Sequence, residues 1–355
     1  MEATTPFYLS AEALGQLAQE ILRRHGVPEE DAALTADCLV WANLHGIDTH
    51  GVIRLKVYVD RIREGGNNPR PTLRVIRETP VAAVLDGDNA LGPVGGVKAM
   101  RLAIEKAATA GVGLVALRHS NHYGAAAYYA TMALERDMIG FSTTNVLPSM
   151  PPTGGREARV GNNPLALAFP AAEEPPVVLD MATSRSSWGV LFTAAQAGRP
   201  LPEGCFLDAA GQPTVDPQAV LAGGALLPIA DYKGYGLALC LGLLTGLLSD
   251  GHFDTDLPHP YRFLDQPGQN AFFMGALRID QFLPPERFKA RVDAVVRRLR
   301  NTPRAPGVER IYLPGEKEWE AARERRRTGI PLPPAMVEEL RTLAESCGVK
   351  AACLP

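Results

Sequence analysis

Long hydrophobic runs, a cysteine framework and a dominant charge are all missing from this chain of 355 residues. The longest apolar stretch, Leu237 to Leu248, is interrupted by Gly242, Thr245 and Gly246. It falls short of the roughly 20 residues that cross a bilayer. The first residues, Met1 to Phe7, hold neither the basic region nor the apolar run of a secretory leader, so a soluble, cytoplasmic protein is the expectation. The five cysteines (Cys38, Cys205, Cys240, Cys347, Cys353) are an odd number without a C-x-x-C pair, unlike a disulfide scaffold or a zinc ribbon. Against 36 basic residues stand 39 acidic ones, a net charge of -3. No global field therefore draws the chain to nucleic acid or to an anionic membrane, and the run Arg323–Arg327 reads as a solvated helix face. A Walker A loop, an H-E-x-x-H helix and a G-x-S-x-G elbow are absent. So is a dinucleotide fingerprint: Gly111–Ala116 fits G-x-G-x-x-A by letters, but it follows a helical segment and leads into a strand, the reverse of a Rossmann turn.

What remains is ordinary globular composition, 46% hydrophobic and 21% charged, in a length that suggests about two domains. Two helices open the chain. Ser10 suits an N-cap before the stripe Leu14, Leu17, Ala18, Ile21 and Leu22, and Gly26 ends that helix. Pro28 and the acidic trio Glu29–Asp31 suit the first turn of the second. A third helical stretch starts near His50 and ends at Gly65-Gly66. From residue 72 to 280 short apolar runs read as strands: 81–85, 113–117, 139–143, 165–169, 177–180 and 272–279. Helical patterns lie between some of them, at 96–110, 125–136 and 233–249. Several connections are too short for a crossover helix, which predicts a mixed sheet in a mixed α/β fold. The tail from Glu286 is helical again.

Three polar clusters stand out. In the stretch Asn43–Tyr58, Gly46 and Gly51 bracket a turn that holds His50. A helix starting there would line up His50, Arg54 and Tyr58 on one face. That face offers a proton-transfer group, a guanidinium that grips a carboxylate at two points, and a phenol. These suit a small carboxylic acid with a reacting carbonyl beside the carboxylate, although a capping histidine followed by surface residues fits the spacing as well. The second cluster, Arg118–Gly124, follows a strand end, where sheet proteins place ligand contacts and where Ser120 or Asn121 would equally cap a helix. In the third, Asp180 closes the apolar run Val177–Leu179; a carboxylate there needs a partner, an imidazole to orient or a turn to cap. Lys233, between glycine-rich neighbours, and Pro314-Gly315-Glu316 are weaker candidates for a phosphate or ribose.

The ordered segments Gly46–Val52, Ser120–Gly124, Gly161–Leu165, Asp180–Ser184, Lys233–Gly236 and Pro314–Glu316 resemble the malate/L-lactate dehydrogenase family of the non-Rossmann type. The resemblance implies a three-layer sheet domain of the L-sulfolactate dehydrogenase-like type, not a Rossmann fold, with a helical domain built from both chain ends. On that basis residues 1–70 pack with 303–355, and 71–302 form the mixed-sheet, cofactor-binding domain. It also implies a homodimer that uses NADH or NADPH to reduce a small 2-oxo acid, or a cyclic imine carboxylate, at C2. His50 falls on the family's catalytic histidine. By that resemblance His50 is the proton donor, Asp180 its partner, and Thr49, Arg54, Tyr58 and His122 the substrate contacts. Thr49 departs from the family's usual serine. The implied cofactor contacts are Ser120, His122, Asp180, Met181, Ala182, Ser184, Lys233, Pro314, Gly315 and Glu316, with no metal. The alternative is a metal-dependent hydrolase or lyase built on His45, Asp48, His50, His119 and His122. Against it, His45 and His50 are five apart, the wrong spacing for one helical face.

Overall fold

A computed structural model describes residues 5–355; Met1–Thr4, the start of the expected N-terminal segment, lie outside the described residues. At its centre is a seven-stranded sheet in the order Arg74–Glu78, Ala82–Asp86, Val112–Ser120, Asn270–Arg278, Met138–Thr144, Leu165–Phe169 and Val177–Met181. Only the pair Ala82–Asp86 and Val112–Ser120 is parallel; the other neighbours run antiparallel. Among sheet neighbours that follow one another directly in the chain, only the parallel pair has a crossover helix, Gly92–Ala110, between its strands, so the sheet is mixed. That helix and Ala126–Met132 bury small residues and tyrosines, among them Ala99, Ala103, Ala130 and Tyr129, against the sheet.

A second core joins the two ends of the chain. Helices Ala11–Arg24 and Glu29–Leu44 pack with Glu316–Thr328 and Pro334–Glu345 through Leu14, Ile21, Leu39, Ala322 and Leu340. The strand Phe7–Leu9 pairs antiparallel with Ile330–Leu332. Ser10 caps its helix, accepting from the Ala13 amide at 3.1 Å. A third, smaller core gathers Met150, Leu191, Phe206 and Ala238 beneath helices Trp188–Ala197 and Tyr232–Gly242.

Three readings of the sequence need correction. The helix expected from His50 begins only at Leu55 and runs to Glu64; residues 48–50 and 52–54 are two tight 3-10 turns. The buried Asn43 forces that shape. It accepts from the Val52 amide at 2.8 Å and donates to Asp48 at 2.7 Å, pressing so close to Gly51 that any side chain there would collide with it. The exposed strand Arg74–Glu78 has no apolar alternation and gave no signal. Arg325, within the charge run, is largely covered: it grips Asp48 through both terminal guanidinium nitrogens at 2.7 and 3.0 Å, tying helix Glu316–Thr328 to the histidine turn.

Candidate active site

Where the sheet meets the helical ends, a cleft of about 1140 Å³ opens. That exceeds the ~300–1,000 Å³ usual for one small ligand. Its walls bring together His50, His122, Asp180, Met181, Ala182 and the turn Pro314-Gly315.

His50 and His122 lie face to face, ring centroids 5.6 Å apart and planes 22° from parallel. His50 reaches this position from the 3-10 turn, where its Nδ1 meets the Thr49 hydroxyl at 3.0 Å. His122 follows the strand Val112–Ser120, and its Nδ1 lies 2.8 Å from the hydroxyl of the buried Tyr58. That hydroxyl also donates to the His122 carbonyl at 3.1 Å. A carbonyl only accepts, and the phenol has one proton. Satisfying both contacts therefore places the imidazole proton on Nδ1 and leaves Nε2 bare. Burial, with the nearby Arg54 cation, lowers the His50 pKa to about 4. Burial, Arg54 and His50 together push His122 well below its ordinary value. Both rings are therefore neutral at pH 7, because burial disfavours the imidazolium.

Arg54 stands beside the pair rather than on the cleft wall. Its Nε donates to the Thr49 carbonyl at 2.6 Å and its Nη1 to the Tyr261 hydroxyl. Asp180 does not hold His50. Its carboxylate accepts from the Ala127 amide at 2.9 Å, at the start of helix Ala126–Met132, where free amides and the helix dipole favour an anion. Although Asp180 opens onto the cleft, it sits deep enough that desolvation pushes its pKa up to about 6.

The remaining expected contacts divide. Ser120 is buried, with its hydroxyl directed at the Ala90 carbonyl at 3.4 Å. Ser184 donates to the Ser186 carbonyl at 2.6 Å. Glu316 is buried away from the cleft, accepting from the Leu313 amide at 2.9 Å and pairing with Arg300 and Arg310. Lys233 is exposed outside the cleft, its ammonium 6.0 Å from the Tyr232 ring. Gly315 lies flush on the strand Val177–Met181: a Cβ there would come within 2.9 Å of Val178. Of the histidines of the metal alternative, His45 and His119 are tied elsewhere, apart from the His50–His122 pair. His45 bonds the Trp41 carbonyl at 2.8 Å and stacks on Trp41, while His119 pairs with Asp86 at 3.0 Å. Among the described residues no three His, Cys, Asp or Glu gather as metal ligands. Sequence reasoning missed Asn43 and Tyr261, and it missed Arg61, which extends the helical stripe of Arg54 and Tyr58 and so left a trace in the spacing.

Comparisons with known proteins converge. The family model of malate/L-lactate dehydrogenase matches residues 9–341. A malate dehydrogenase of Pyrococcus abyssi is 43% identical over 337 residues, covering 93% of this chain and 92% of that protein. The sulfolactate dehydrogenase structure from Methanocaldococcus jannaschii superimposes with a TM-score of 0.91 at 36% identity, covering 98% and 99% of the two chains. A Δ1-piperideine-2-carboxylate reductase structure from Pseudomonas syringae pvar. tomato gives 0.86 at 29% identity, over 95% and 100%.

Proposed function

Because the chain belongs to the malate/L-lactate dehydrogenase family, we propose that it interconverts a small 2-hydroxy acid and its 2-oxo acid, or the related cyclic imine carboxylate, with NADH or NADPH. It is an oxidoreductase, a 2-hydroxyacid dehydrogenase using a nicotinamide cofactor. The observation that carries the finer reading is the stacked imidazole pair on the wall of a cleft with room for a dinucleotide and a small acid, with Arg54 behind it.

The residues present fit such a cofactor. Gly315 lets the 314–315 turn lie close on Val178, so the wall there is smooth backbone continuous with Asp180, Met181 and Ala182. These groups, with His122, would hold it. When bound, the nicotinamide supplies the hydride acceptor, or in its reduced form the donor, at the substrate's C2. His50 takes the hydroxyl proton during oxidation and returns it to oxygen, or to imine nitrogen, during reduction. Arg54 binds the carboxylate. Thr49 fixes the His50 ring, and Tyr58 fixes His122. Asp180 contributes through the cofactor wall rather than through His50. Ser120, Ser184 and Glu316 act as supports behind the cleft.

A homodimer is part of the reading. Leu237, Cys240, Leu243 and Leu247 form an exposed stripe along helix Tyr232–Gly242 and its continuation to residue 247, an apolar face of the kind that marks a subunit contact.

The test is a panel of 2-oxo acids and cyclic imines assayed with each nicotinamide, followed by His50→Ala. Turnover of at least one acid is expected, with a loss of ~100-fold or more in the variant, the scale of a lost general acid–base group. Near-normal turnover in His50→Ala with an inactive His122→Ala would move the role to His122.

A further inference from the structure

Arg61 is buried, without a carboxylate partner within salt-bridge reach among the described residues, yet its guanidinium is saturated. From helix Leu55–Glu64 it donates to the Asn67 side chain at 3.1 Å, to the Gly66 carbonyl at 3.2 Å and to the Asn121 side chain at 3.1 Å. It also donates to three carbonyls of one distant segment: Pro260 at 3.1 Å, Phe263 at 3.0 Å and Gln266 at 2.6 Å. A cation buried this way is costly unless every donor is filled. Here the filling comes largely from a segment with no regular structure of its own, which Arg61 holds like a strap against the active-site helix.

The strap delivers Tyr261 to Arg54. The guanidinium donates to the Tyr261 hydroxyl and lies 5.8 Å from the ring centroid. Arginine cannot accept, so the phenol's own proton is uncommitted; the Tyr261 hydroxyl donates to nothing among the described residues, and the residue is 52% exposed. Arg54 commits Nε and Nη1, leaving Nη2 free among the described residues. Two free donors, one cationic and one phenolic, therefore sit side by side, the guanidinium anchored on the carbonyl of Thr49, the residue before His50. We propose that Tyr261 is the second arm of the substrate carboxylate clamp, and that Arg61 is a positioning residue that sets the clamp's spacing through the strap. The inference rests on the reading of Arg54 as the carboxylate-binding group.

The experiment uses the full-length enzyme, its preferred nicotinamide and the acid turned over fastest in the panel above. It compares Tyr261→Phe, Arg61→Lys, the double variant and Arg54→Gln. Tyr261→Phe is expected to raise KM for the acid about tenfold, the scale of one hydrogen bond to a charged group. Its kcat and its dinucleotide Kd, read by fluorescence titration, should stay within twofold. Arg61→Lys should reproduce that split, and the double variant should show no further rise, because both act on one contact. An unchanged KM in Tyr261→Phe overturns the clamp. Equal shifts of KM and dinucleotide Kd in Arg61→Lys, or additive effects in the double variant, overturn the positioning role. If Arg54→Gln raises KM while Tyr261→Phe does not, only this inference fails; if Arg54→Gln leaves KM unchanged, the underlying reading fails first.

Discussion

Asp180 shows how one local competition redirects a residue. A carboxylate at a strand end seeks a partner, and the sequence offers an imidazole; the amide of Ala127 wins because the helix start presents it at 2.9 Å. The cost is a desolvated acid whose pKa is pushed up to about 6. A folded-state pKa above the unfolded value means the folded chain binds more protons, so this group's contribution to stability is present at low pH and is lost as pH rises through 6. Asp180→Asn keeps an acceptor for Ala127 without the charge. It should raise the melting temperature at pH 8 and leave it unchanged at pH 4, as calorimetry at the two pH values would read; equal shifts at both would point to packing instead. His50 and Arg54 stood out in the sequence because they sit in one compact stretch between Gly46 and Tyr58. Tyr261 was not, since its partner Arg54 lies 207 positions away.

Among elements, the turn Asp48–Arg54 decides where the imidazole points. Asn43, in the helix before it, supplies both an acceptor and a donor to the turn. Asn43→Ala would strand the buried Val52 amide, at a cost of about 1–3 kcal/mol, and should lower the denaturant midpoint without changing its slope. A wild-type midpoint would show that the turn holds itself. Element identity was legible where a period existed: strands 165–169 and 177–181 follow apolar runs, and Ser10 caps as its spacing suggests. It was not legible for Phe7–Leu9, Ile330–Leu332 and Arg74–Glu78. The first two are three residues long, one with a proline inside; the third is exposed along its whole length.

For the whole molecule, the joined chain ends close one side of the cleft. Arg325 couples helix Glu316–Thr328 to Asp48, so the histidine turn depends on residues nearly 280 positions downstream. Such contacts leave no periodic trace, and the charge run around Arg325 looks the same whether it faces water or protein. The stripe Leu237, Leu243 and Leu247 makes its own prediction. Sedimentation should give twice the chain mass, and Leu243→Glu with Leu247→Glu should halve it; an unchanged mass in the double variant would place the subunit contact elsewhere. No helix among the described residues is long and apolar enough to cross a membrane.

The claim that His50 exchanges the substrate proton is tested most directly by the pH dependence of kcat/KM in both directions. With a folded pKa of about 4, His50 is a base throughout the neutral range. Oxidation should be flat from pH 5 to 8, and reduction should fall about tenfold per pH unit as the imidazolium is depleted. An inflection near pH 6 that disappears in Asp180→Asn would contradict the account and assign the proton to the aspartate.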